Sequence, residues 1–235
     1  MKNDSIIVCQ NCNTENPYFQ LNCIKCNYFL RDKIPNINIG EILLSLIESP
    51  MYAFKKIIFS ENKNYVSLLL LFLSIRFLIL SRFISVPSLR NDSDFNLLFA
   101  VVYFLLSTGA VIFIIVFLTN YILKKLKIFS RTKDVFSVII YSFVPSLSAI
   151  FILYPIELAL FGKYLFSNNP YAFSIKENVF YFLTAFEIFL IIWSFILHIK
   201  AIRSLKVKIK ASLLISLLNY FIIIGYLLLS KNIFI

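Results

Sequence analysis

The sequence predicts an all-α polytopic membrane protein, with five transmembrane helices preceded by amphipathic helices and a small four-cysteine zinc ribbon. Three observations carry this. Of the 235 residues, 60% are hydrophobic and only 15% charged, where soluble domains average roughly 25% charged. Five apolar stretches are each long enough to cross a bilayer, which takes about 20 helical residues. All four cysteines stand in one short polar segment near the front of the chain. The expected organisation is a ribbon head over 1–36, interfacial helices over 37–64 and a membrane domain over 65–235.

The head rests on Cys9-Gln-Asn-Cys12 and Cys23-Ile-Lys-Cys26, two Cys-x-x-Cys pairs separated by ten residues, with no cysteine in the 209 residues that follow. Each pair presents two sulfurs at the bite of a tetrahedral ion, and Zn²⁺ is satisfied by four thiolates. Asn13 and Asn27 follow the pairs, where a left-handed residue closes the turn; Asn tolerates that conformation better than most residues with a Cβ. Four sulfurs leave no open coordination position, so the predicted zinc is structural and not catalytic. So short a segment buries little core, and the metal supplies the folding energy. No apolar run of signal-peptide type occurs in the first ~38 residues. The cysteines are therefore expected in a reducing compartment, as metal ligands rather than disulfides. Tyr18, Phe19, Tyr28 and Phe29 interleave with Lys25, Arg31 and Lys33, a pattern also found in single-stranded nucleic-acid binders. A protein partner of the head is the preferred expectation, with nucleic acid the minor one.

Between head and spans, Ile42, Leu43, Leu46 and Ile47 recur at helical spacing opposite Glu41, Ser45 and Glu48. Ser49-Pro50 is a helix-start signal, Ser as cap and Pro at the first position. Beyond it Phe54, Ile57 and Ile58 share a face, while Lys55 and Lys56 point to lipid headgroups. Two short helices are predicted, lying on the membrane surface or packed on the end of the bundle.

The spans are expected at Tyr65–Val86, Phe95–Leu123, Val135–Gly162, Val179–Ile199 and Ala211–Ser230. Seventeen Lys/Arg fall in residues 1–64, Lys124–Asp134 and Lys200–Lys210; five fall in the alternate segments, and Arg76 lies inside a span. By the positive-inside rule the N-terminus is cytoplasmic and the C-terminus outside. The lipid bilayer thus accounts for the net charge of +11.

Inside the spans, Arg76 and Glu187 sit at matching depth, and intramembrane charges pair or mark a pathway. Either the two touch, or each snorkels or is hydrogen-bonded separately; if paired, they are expected to pack helices rather than to serve transport. Glu157 is expected near the outer interface. His198 lies eleven residues beyond Glu187 on nearly the same face, too far for a direct proton relay. Pro145 and Pro155 break the third span, with Ser146 and Ser148 available to satisfy freed backbone groups. Asn91-Asp92-Ser93 is a glycosylation sequon. No H-E-x-x-H or G-x-S-x-G motif occurs, and no catalytic residue is assigned. The rival to a non-enzymatic scaffold is a small transporter or channel using Arg76, Glu187 and the Pro145–Pro155 kinked helix.

Five spans, the Ser49-Pro50 entry segment, Tyr141-x-x-Val144-Pro145-Ser146, Trp193, Lys200-Ala201 and Lys210-Ala211 together resemble the Yip (Ypt/Rab-interacting protein) membrane-domain family over roughly residues 45–230. The ribbon is similar to short heads fused to prokaryotic membrane proteins. The resemblance implies a non-enzymatic membrane-organising or trafficking adaptor in a prokaryotic plasma membrane, with homo-oligomerisation open. The acidic Asp-Leu-Tyr-Gly-Pro stretch of eukaryotic members is missing ahead of the spans. A Rab-type GTPase partner therefore does not carry over.

Overall fold

The computed structural model describes residues 6–86, 97–167 and 170–230; the Asn91-Asp92-Ser93 sequon lies outside them. A two-stranded antiparallel ribbon, β1 (Ile6–Val8) and β2 (Glu15–Pro17), pairs Ile7 with Asn16. Ten helices follow: α1 (Ile39–Glu48), α2 (Pro50–Phe59), α3 (Val66–Ser85), α4 (Leu97–Lys125), α5 (Thr132–Tyr141), α6 (Val144–Phe151), α7 (Leu153–Phe161), α8 (Ala172–Ile175), α9 (Glu177–Ser204) and α10 (Ile209–Ser230), with a 3₁₀ segment at Gly162–Phe166. Among the described residues five stretches are long and apolar enough to cross a membrane: Val66–Ser85, Leu98–Lys125, Val144–Phe166, Glu177–Ser204 and Ile209–Ser230. The fold is all-α and polytopic.

Prolines set the breaks of the third span. Each lacks the N–H that would reach the carbonyl four residues back, and its ring crowds that carbonyl. For Pro145 that residue is Tyr141, where α5 ends; for Pro155 it is Phe151, where α6 ends. The expected single kinked helix over Val135–Gly162 is therefore three helices, and the membrane-crossing stretch begins at Val144. Gly162, with φ of 52°, ends α7 in a conformation that favours glycine.

The chain forms two compact units. One comprises the residues up to Ser67, Phe113–Ser142 and Leu197–Leu217. Its core includes Ile42, Leu46, Phe54, Ile57, Ile58, Val138, Ile139 and Ile202, all buried. The α2 helix packs on α5. Asn38 caps α1, its Oδ1 accepting from the Glu41 N–H at 3.4 Å. Ser49 makes no side-chain cap bond, contrary to expectation; its carbonyl accepts the N–H groups of Tyr52 and Ala53 instead. On α1, Ile42 and Leu46 are buried while Leu43, Leu44 and Ile47 are exposed, so the buried stripe is narrower than the sequence suggests.

A buried carboxylate, Asp134, organises this unit. Lys63 Nζ lies 2.9 Å from its Oδ1, and Arg131 donates to both oxygens at 2.7 and 3.1 Å. Lys63 also donates to the Ile58 and Ser60 carbonyls, and Arg131 to Ile58 at 2.8 Å. Cations at the C-terminal carbonyls of α2 complement its dipole. Burial draws the Lys63 ammonium down to about 8, opposed by Asp134.

The other unit comprises Leu68–Ile112, Phe143–Ile196 and the chain from Leu218 on. Ala149, Leu153, Phe161, Leu165, Ala172, Leu183 and Leu190 form one of its cores, with Trp193 packed against it. Tyr226 Oη lies 2.7 Å from Ser107 Oγ and 3.2 Å from Thr108 Oγ1, and Phe77 and Phe104 flank its ring.

Candidate metal centre and intramembrane ion pair

The two cysteine turns are built alike. Cys9 donates its N–H to the Thr14 carbonyl and accepts from Asn13; Cys23 donates to Tyr28 and accepts from Asn27. Asn13 and Asn27 have φ of 54° and 57°, the left-handed region that lets each turn close. The turns bring the four Sγ atoms within 4.8 Å of one another, with Cys9–Cys26 and Cys12–Cys23 at 3.5 Å. A zinc tetrahedron with bonds of about 2.3 Å separates its sulfurs by about 3.8 Å, a spacing compatible with this cluster. All four cysteines are free. The donor set fits a metal ion held by four sulfurs.

Hydrogen bonds favour the thiolate form at Cys23 and Cys12, whereas at Cys26 the Tyr28 backbone is outweighed by desolvation and the neighbouring sulfurs, which push the thiol up to about 11. The N–H groups of Cys26 and Lys25 at Cys23 hold its thiol at about 6, and Lys25 N is 3.4 Å from the sulfur. Thr14 holds Cys12 below the usual thiol range. Asn16, which is buried, bridges the turns: Nδ2 donates to the Thr14 carbonyl at 2.8 Å and approaches Cys23 Sγ at 3.6 Å, while Oδ1 accepts from the Ile24 N–H at 2.9 Å. Nothing in the sequence marks Asn16, which stands among several asparagines without a distinguishing spacing.

The aromatic and basic residues of the head divide into two sets. Tyr18 is buried, with Lys206 Nζ 5.8 Å from its ring centre. The Arg131 guanidinium sits 4.8 Å over Phe19, and that of Arg31 4.7 Å over Phe59. Arg31 Nη2 also donates to the Phe19 carbonyl at 2.9 Å, and Lys33 pairs with Glu61 at 3.5 Å. These groups dock the head within its own unit. Val8, Ile24, Tyr28 and Phe29 remain exposed.

In the other unit, Arg76 on α3 is fully buried. It makes a bidentate pair with Glu187 on α9, Nη1 to Oε1 at 3.0 Å and Nη2 to Oε2, and its Nε donates to Ser146 Oγ at 3.3 Å. Pro145 opens α6, which leaves the Ser146 N–H without an intrahelical acceptor; Ser194 Oγ on α9 accepts it at 2.9 Å. The interrupted backbone is thus satisfied by a neighbouring helix, as lipid-exposed helices require. Ser148 Oγ donates to the Pro145 carbonyl at 2.7 Å.

Glu157 is buried, and among the described residues its Oε2 has no hydrogen-bond partner. Its carboxyl lies within electrostatic reach of both Glu187 and Arg76. The crossing stretch continues through the 3₁₀ segment to Phe166, beyond the end at Gly162 expected from the sequence. His198 Nδ1, in the first unit, lies 2.9 Å from Ser142 Oγ.

Comparison with protein-family models, with curated proteins and with solved structures finds no match.

Proposed function

We propose that this chain is a non-enzymatic membrane scaffold or adaptor of the Yip type, whose cytosolic zinc ribbon is a docked recognition head. The supporting observation is how the head is fixed. Tyr18, Phe19 and Arg31 are committed to contacts within the unit, while Val8, Ile24, Tyr28 and Phe29, at 46–69% exposure, are displayed outward. Large apolar residues held at a rigid, metal-braced surface suit a protein partner. The ion is a structural Zn²⁺, since four thiolates leave no position for a substrate. The N-terminus faces the cytoplasm and the C-terminus the outside of a prokaryotic plasma membrane, following the lysine distribution. The test is crosslinking in native membranes, comparing the wild type with Ile24→Ser/Phe29→Ser. One or more crosslinked proteins should be lost in the variant while its metal content is kept; an unchanged crosslinking pattern contradicts the reading.

One observation favours the transporter reading: the buried Oε2 of Glu157, without a hydrogen-bond partner among the described residues, within electrostatic reach of the Arg76–Glu187 pair. Ion flux in proteoliposomes, with Glu187→Gln, separates the two. Flux lost in the variant supports transport; absence of flux in the wild type supports the scaffold.

A further inference from the structure

The α9–α10 connection forms a cavity of about 640 Å³ with the start of α2. Five cations line it: Lys55 from α2, Arg203 from the last turn of α9, and Lys206, Lys208 and Lys210 around the start of α10. All five are exposed. Among the described residues none of them is paired with a carboxylate; the ion pairs of this unit use Lys33, Lys56, Lys63 and Arg131 instead. Glu41, Glu61 and Asp134 thus take up four cations of the unit, while the five gathered at this cavity have no ion-pair partner among the described residues.

The flank of the cavity is apolar. Met51 and Val207 line it, and along α10 the side chains of Ile209, Leu213 and Leu214 are 53%, 43% and 69% exposed. The α10 helix has 22 residues, about 33 Å at 1.5 Å each, which matches the hydrocarbon thickness of a bilayer. Its first residue, Ile209, therefore stands at headgroup depth. Positive charge at the level of lipid phosphates, continuing into an apolar face at the level of acyl chains, is complementary to one kind of molecule.

We infer that the cavity between α2 and the α9–α10 turn is a binding site for an anionic phospholipid, its phosphate held by Lys55, Arg203, Lys208 and Lys210 and its acyl chains lying along Ile209, Leu213 and Leu214. Basic pockets beside transmembrane helices bind acidic headgroups by this chemistry. The volume suits one headgroup, in the range of small-molecule sites. The inference needs only that α10 crosses the membrane, and does not depend on what the head recognises. Lys206 links the two regions, since its ammonium also faces the Tyr18 ring of the docked head.

The test uses the full chain in neutral detergent and measures binding of short-chain phosphatidylglycerol, short-chain phosphatidylcholine, glycerol phosphate and a single-stranded oligonucleotide. Phosphatidylglycerol should bind tightest, and its affinity should fall with added salt. Glycerol phosphate binding as tightly as the lipid would remove the acyl seat and overturn the assignment, as would tighter binding of phosphatidylcholine or the oligonucleotide. Lys55→Gln/Arg203→Gln/Lys208→Gln should weaken phosphatidylglycerol binding on the order of 100-fold, at about fivefold per cation. Lys206 is left intact to preserve the head contact. Lys124→Gln/Lys125→Gln/Lys127→Gln removes the same charge elsewhere and should change binding less than threefold or so by screened surface electrostatics alone. Equal losses in both variants would mean a diffuse surface effect and no site. The four-ligand comparison on the wild type decides the matter even if a variant fails to fold.

Discussion

Glu187→Gln isolates the Arg76–Glu187 pair. The amide keeps the volume of the carboxylate and one of its two acceptors, so the main loss is the counter-charge to a guanidinium that is 0% exposed. Removing one partner of a buried pair costs about 3–5 kcal/mol, because an uncompensated charge is left behind. Arg76 retains a hydrogen bond to Ser146 and one to the new amide, which places the expected cost near the lower bound, about 3 kcal/mol. Replacing both residues together, as Arg76→Leu/Glu187→Leu, removes the stranded charge and should cost less than the single change. The assay is detergent-driven unfolding of the full chain, followed by fluorescence of Trp193, the single tryptophan, which packs against the core of the same unit. A Glu187→Gln protein within about 1 kcal/mol of wild type would refute a pair whose disruption carries the cost expected of a buried ion pair. A double variant less stable than the sum of the singles would do the same.

Three further outcomes follow from the geometry. Asp134→Asn leaves Lys63 and Arg131 facing each other without a carboxylate and should cost about 3 kcal/mol, read as an earlier unfolding midpoint. Asn16→Ala removes the amide bridging the two cysteine turns; chelator competition should show metal affinity reduced about 10–100-fold, the usual effect of losing such support. Stripping the metal with a chelator should unfold the ribbon and expose Tyr18, so amide exchange over 6–35 should accelerate while α9 and α10 stay protected; unchanged exchange in the ribbon would contradict metal-dependent folding.

The sequence pattern exposed whatever was local. Two Cys-x-x-Cys pairs each followed by Asn, five apolar runs, and prolines that end a helix four residues upstream are all readable within a short window. What it hid was pairwise and distant. Asp134 reads as one acid in a basic loop, yet it gathers Lys63 and Arg131. Ser194 is one serine in an apolar span, and its role as acceptor for the Ser146 N–H appears only when α6 and α9 are side by side. The burial of Glu157 and the 3₁₀ continuation of its span to Phe166 likewise depend on packing that no short window displays. Tyr18 and Arg31 contact their own unit, since sequence cannot tell an aromatic that faces a partner from one that faces its own chain.

Elemental analysis of the full chain, purified without chelator or added metal, tests the metal-braced head most directly. One zinc per chain is predicted, falling to none in Cys9→Ser/Cys23→Ser. A wild-type protein with no stoichiometric metal, or a serine variant that keeps it, would contradict the account.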